Sequence, residues 1–169
     1  MSLDNIQLHP IIIQDLFKNS LVDLNKGKAA NTATAAEKNN ISFLGNNQKK
    51  IAIIVNDENS IYLPDEALNF LLGVLSACKL TMDDVALVNT AKNRVLTYSN
   101  IQQELSATTV LLFGVGPQQL QLPLQFPQYQ IQKFNMQAYL AAPSLLLLQQ
   151  DKAEKTKLWN CLKQLFSLV

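Results

Sequence analysis

The chain has 169 residues, 48% of them apolar, which is enough for one domain with its own core and short of two. Fourteen Lys and Arg against thirteen Asp and Glu leave a net charge of +1, so the basic surplus of a protein that grips DNA by charge alone is missing. Two cysteines and one histidine exclude a disulfide framework, a zinc cluster and a Ser-His-Asp or Cys-His site in the folded region.

The N-terminus lacks the basic, apolar and small-residue order of a signal peptide, and no apolar run reaches the ~20 residues that span a membrane. The expectation is a cytoplasmic protein with no membrane contact. Residues 1–24 predict a short amphipathic helix. Pro10 suits its first turn, Ile13, Leu16, Phe17, Leu21 and Leu24 recur at helical spacing, and Asp15, Lys18, Asn19 and Asp23 fill the other side. Residues 25–48 read as a flexible linker of Asn, Ala, Thr, Lys and Gly without useful period. The apolar face of a tethered helix is buried either in a partner's groove or on its own sheet, and the linker also permits a domain-swapped dimer.

Residues 49–169 predict an α/β domain. Ile51 to Val55 is a continuous apolar run ending in Asn56-Asp57, as in a strand buried on both faces of a parallel sheet. Pro64, Asp65 and Glu66 open a helix with Leu68, Leu71, Leu72 and Leu75 on its apolar side. Val85 to Val88 is a second strand, ending in Asn89. A helix from Asn100 to Leu105 leads to a third strand, Thr109 to Phe113, closed by Gly114 and Gly116. Tyr129 to Phe134 alternates like an edge strand, and Gln137 to Ala141 forms the last strand before Ala142-Pro143-Ser144. Asp151 and Glu154 have capping-box spacing ahead of a stripe of Leu158, Trp159, Leu162, Leu165 and Phe166. Cys78 and Cys161 fall inside helical patterns as small apolar residues. The expected fold is a three-layer α/β/α sandwich around a mainly parallel sheet.

No Walker sequence and no G-x-G-x-x-G is present, so no cofactor is expected. Asp57, Asn89 and Ser144 fall at strand exits on one sheet edge, where α/β proteins put their chemistry. None of them titrates near neutrality without strong tuning, and an Asn at a strand exit either reads a base edge or caps a turn. Asp83 and Asp84 lie near the start of the second strand, so the two acid pairs are expected at opposite ends of the sheet. Eight of the twenty residues 118–137 are Gln, read as a polar loop with an edge strand or as an interaction surface. Lys152, Lys155, Lys157 and Lys163 read as the solvated face of the last helix or as a local basic patch for DNA.

Five stretches resemble the uracil-DNA glycosylase superfamily: Ile53-Ile-Val-Asn-Asp57, Pro64-Asp-Glu-Ala-Leu68, Leu72 to Leu80, Met82-Asp-Asp-Val-Ala-Leu-Val-Asn89 and Leu111-Leu-Phe-Gly-Val-Gly116. Ala142-Pro143-Ser144, followed by Leu158-Trp159, resembles the stretch where the enzymes carry His-Pro-Ser. The resemblance implies a pocket at Asp57, Asn89, Ala142, Pro143 and Ser144. Ala142 in place of His removes the group that supports the leaving uracil anion, which makes that pocket vestigial. Val55-Asn-Asp57, Met82-Asp-Asp-Val85, Ala142-Pro-Ser-Leu145 and Lys157-Leu-Trp159 are also similar to the psi family of bacterial DNA polymerase III clamp-loader subunits, a non-catalytic branch of that fold. That resemblance implies a replication scaffold whose N-terminal helix docks a clamp-loader subunit through Ile13, Leu16, Phe17, Leu21 and Leu24. A second contact would be a chi-like accessory protein, with DNA reached only indirectly. The alternatives are a divergent uracil-DNA glycosylase using Asp57 and Asn89, and a small α/β binding protein of unrelated role.

Overall fold

The computed structural model describes residues 41–93 and 95–167. The expected N-terminal helix, with Ile13, Leu16, Phe17, Leu21 and Leu24, lies outside them, as does the expected linker up to residue 40. β1 (Phe43–Leu44) and β2 (Ile51–Val55) lead into α1 (Asp65–Ala77), and β3 (Val85–Asn89), α2 (Tyr98–Leu105) and β4 (Thr109–Phe113) follow. β5 (Ile131–Phe134) and β6 (Gln137–Ala142) precede α3 (Leu145–Gln150) and α4 (Lys152–Phe166). Single 3-10 turns occupy Met82–Asp84 and Pro117–Leu120.

The six strands form one sheet in the order β1-β3-β2-β4-β6-β5. β3, β2, β4 and β6 are parallel neighbours, with Ile53 opposite both Leu87 and Leu111. β1 runs antiparallel on β3, and β5 antiparallel on β6. The sheet is therefore mixed, which corrects the expectation of a mainly parallel one. The reason at one edge is local. Phe134 and Gln137 are paired across only two residues, Asn135 and Met136, whose φ angles of 50° and 62° are those of a primed hairpin turn. A parallel return would need a crossover of a dozen or more residues. At the other edge, two half-exposed residues are too few to leave an alternating pattern. The stretch 41–48, inside the expected linker, is where they lie. There Ile41 is buried, and its backbone N–H donates to Glu104 at 2.7 Å.

The strands read as continuous apolar runs because both faces of the sheet are covered. Ile51, Ile53 and Val55 share one buried cluster with Leu71 and Leu75 of α1, Leu148 of α3 and Leu162 of α4. Ala52 and Ile54 share another with Ile101 and Leu105 of α2 and with Leu120. In that second cluster Tyr139 is 1% exposed, and its hydroxyl donates to Gln137 Oε1 at 2.6 Å. Gln137 Nε2 in turn donates to the Ala107 carbonyl at 2.7 Å. Burial pushes the Tyr139 hydroxyl pKa up to about 12. Tyr139→Phe is expected to leave the Gln137 oxygen unpartnered and to lower stability in urea unfolding by about 1–2 kcal/mol. A neutral result would mean that water replaces the hydroxyl there.

α1 and α4 start where residues at or ahead of the first turn supply negative charge or an acceptor. Asp65 and Glu66 occupy the first turn of α1. Asp151 accepts from the backbone of Ala153 and Glu154, capping α4. The capping box is only half formed. Glu154 turns instead to Lys157, at 2.6 Å, and to the Tyr129 hydroxyl. α3 was not expected, because Leu145 to Leu148 is uniformly apolar and shows no helical period.

Candidate functional site

The parallel strands lie in the order second, first, third, fourth, so the winding of the sheet reverses between β2 and β4. In open α/β sheets the crevice outside the strand ends at such a reversal is where ligands bind. Here it is filled. The cavity at that point measures about 40 Å³ and is bounded by Val55, Asn56, Asp57, Phe113 and Ser144, with Leu63, Pro64, Ala67, Leu145 and Leu146 closing it. Ligand pockets run to roughly 300–1,000 Å³, and one water takes about 30 Å³, so there is no room for a base.

Asn89 explains how the loop over this edge is held. It is fully buried, and its side chain is satisfied entirely by backbone. Its Oδ1 accepts from the N–H groups of Asp57 at 3.0 Å and Ala91 at 3.1 Å. Its Nδ2 donates to the carbonyls of Asp57, Ser60 and Ile61 at 2.7, 3.1 and 3.2 Å. Asp57 folds the same loop from within, its Oδ1 accepting from Asn59 and Ser60 N–H. Lys92 reaches the Glu58 carbonyl, and Thr90 the Asn56 side chain. The side chains of Asp57 and Asn89, expected to face a ligand, fold residues 56–61 and tie them to the exit of β3.

Asp57 and Ser144 line the small cavity together, while Asn89 does not line it. Ala142, Pro143 and Ser144 turn toward a second, open cleft of about 540 Å³ beyond the ends of β4 and β6. Gly114, Gly116, Phe126, Gln128 and Leu147 also line this cleft, and none of its lining among the described residues is charged. Gly114 is needed at its φ of 68°, since a Cβ there would sit 3.1 Å from the Ser144 Cβ. The cleft offers an amide, a hydroxyl and apolar surface. Its described lining holds no acid or base to move a proton. Sequence reasoning placed Gly114 and Ser144 near it but missed Phe126 and Gln128, which arrive from the irregular Gln-rich stretch.

Asp83 and Asp84 sit at the opposite end of the sheet, ahead of β3. Asp84 Oδ2 accepts from Thr81 N–H at 2.9 Å and from Lys49 Nζ at 3.1 Å, and these bonds, the Thr81 backbone first, hold its carboxyl below the usual aspartate range. A depressed native pKa stabilises the fold above the unfolded value, about 3.9, and that contribution is lost as pH falls through the native one. Asp84→Asn is therefore expected to flatten the loss of stability below about pH 4 in pH-dependent urea unfolding, relative to the parent chain. An unchanged acid slope would assign that titration to another carboxylate.

Burial pushes both thiols upward, so neither Cys78 nor Cys161 supplies a thiolate nucleophile near neutrality. The Cys161 thiol donates to the Tyr129 carbonyl. Among the described residues no three His, Cys, Asp or Glu side chains gather into a metal-binding group, and no helix is long and apolar enough to cross a membrane. Comparison with protein-family models and with curated proteins finds no match to the chain.

Proposed function

We propose that the chain is a non-catalytic accessory protein of DNA replication, similar to the psi subunit of the bacterial clamp loader, with a glycosylase-like α/β/α domain. The observation that carries this reading is the filled crevice between the exits of β2 and β4, where Asp57 lies and which Asn89 does not line. The side-chain oxygen and nitrogen of Asn89 are committed to the loop from Asp57 to Ile61 and to Ala91, beside a cavity of about 40 Å³. A glycosylase must take a flipped base into a pocket that both reads it and stabilises the leaving anion. Asp57, Asn89, Ala142, Pro143 and Ser144 supply neither, so the pocket is vestigial and the work of the protein lies on its surfaces. Ile13, Leu16, Phe17, Leu21 and Leu24 would engage a clamp-loader subunit, and a face of the domain a chi-like accessory protein. No cofactor is required, and DNA is met only through the partners.

The test is calorimetric binding to the clamp-loader complex of the same organism. The full chain is compared with a variant lacking residues 1–40, a cut that leaves Ile41 and β1 on the sheet. Tight binding by the full chain that disappears with the deletion is the expected result. Equal binding by both would move the docking surface onto the domain, and no binding by either would end the replication reading.

A further inference from the structure

A groove of about 420 Å³ runs between α1 and α4, floored by Leu158 and Leu162 and walled by Phe70, Val74 and Trp159. Gly73 lies in the groove, at the middle of α1. A glycine inside a helix lowers stability relative to alanine, so it needs a reason. The fold supplies none. Its φ is not positive, and a Cβ built at residue 73 meets nothing within 4 Å. What the missing side chain does is deepen the groove between Phe70 and Trp159.

On the α4 side the rim is basic, while α1 brings the acid Glu66 one turn ahead of Phe70. Lys152, Lys155 and Lys163 follow one edge of α4 at i, i+3 and i+11, on the side of Trp159. Lys155 Nζ lies 5.5 Å from the centroid of the Phe70 ring. Among the described residues none of the three has a carboxylate within ion-pair distance, whereas Lys157, further round the helix, is paired with Glu154.

We infer that the α1–α4 groove docks an acidic amphipathic helix from a partner protein. Its largest apolar side chain seats over Gly73 between Phe70 and Trp159, and its carboxylates face Lys152, Lys155 and Lys163. Two helices with an open seam accept a third by its apolar stripe, and the lysines select the partner's charge. This surface stands independently of the replication reading.

Trp159 is the chain's single tryptophan, so its emission reports on this groove alone. The probe is a synthetic helix-forming peptide of about four turns, without Trp or Tyr, carrying Leu on one face and Glu along its flanks. A twin has Lys in place of Glu. With the full chain, the acidic peptide is expected to give a saturable blue shift and to bind about tenfold more tightly than the twin, a difference that shrinks with salt. Gly73→Leu should keep the fold and lose the response, and Gly73→Ala should raise the melting temperature. The triple change of Lys152, Lys155 and Lys163 to Glu should reverse the peptide preference. No saturable shift, equal binding of both peptides, or an undiminished response in Gly73→Leu would overturn the inference. A shift that follows protein concentration without peptide would assign the groove to a second copy, and one produced only by oligo-dT would assign it to single-stranded DNA.

Discussion

Asn89→Leu, which keeps the size of the side chain and removes its polar atoms, is expected to lower the unfolding free energy by about 3–5 kcal/mol. The side chain is fully buried, so water reaches the groups it leaves behind only as the loop opens. The change leaves the N–H groups of Asp57 and Ala91 without this acceptor, and the carbonyls of Asp57, Ser60 and Ile61 without this donor. Each buried orphan costs about 1–3 kcal/mol, offset in part as the loop loosens and admits water. Asn89→Asp should be no milder, because it turns a carboxylate toward three carbonyl oxygens. Urea unfolding measures both. A loss below about 1 kcal/mol for the leucine variant would mean that the amide is not the clamp of this loop.

Leu145→Ala is the second large effect, about 3 kcal/mol by urea unfolding. Leu145 is 3% exposed, closes the cavity at the reversal of the sheet, and belongs to the cluster that joins α1, α3 and α4. Truncation removes buried apolar surface and leaves a void beside the existing one, which short α3 can only partly collapse. A nearly neutral Leu145→Ala would mean that α3 does not hold the strand exits shut.

Strands β2, β3 and β4 were legible because a strand covered on both faces leaves an unbroken apolar run bounded by polar turns. α4 was legible from the Asp151 cap and the spacing of Leu158 and Leu162. β1 was not, since its pairing partner is β3, over forty positions away, and two residues carry no period. α3 was hidden by four successive leucines that would suit any buried element. The candidate site was half legible. Sequence order placed Asp57, Asn89 and Ser144 at strand exits on one edge. It carried no sign that the Asn89 amide would face inward onto five backbone groups, because that depends on how tightly residues 56–61 fold back. Nor did it show the leucines that occupy the reversal point, since Leu145 and Leu146 differ only in which way a six-residue helix turns. The groove at Gly73 left a trace, a glycine within a helical run of leucines, whose meaning appears only with Trp159 across from it.

The filled crevice between the exits of β2 and β4 is the claim on which the non-catalytic reading depends, and base release tests it most directly. The full chain, in stoichiometric amount, is incubated with a single-stranded oligonucleotide containing uracil, beside the Asp57→Asn variant, which keeps the acceptor oxygen that Asn59 and Ser60 use. The account predicts no free uracil from either protein. Uracil released by the parent chain and lost with Asp57→Asn would contradict it, and would put a working glycosylase site where the structure shows a stitched loop and two leucines.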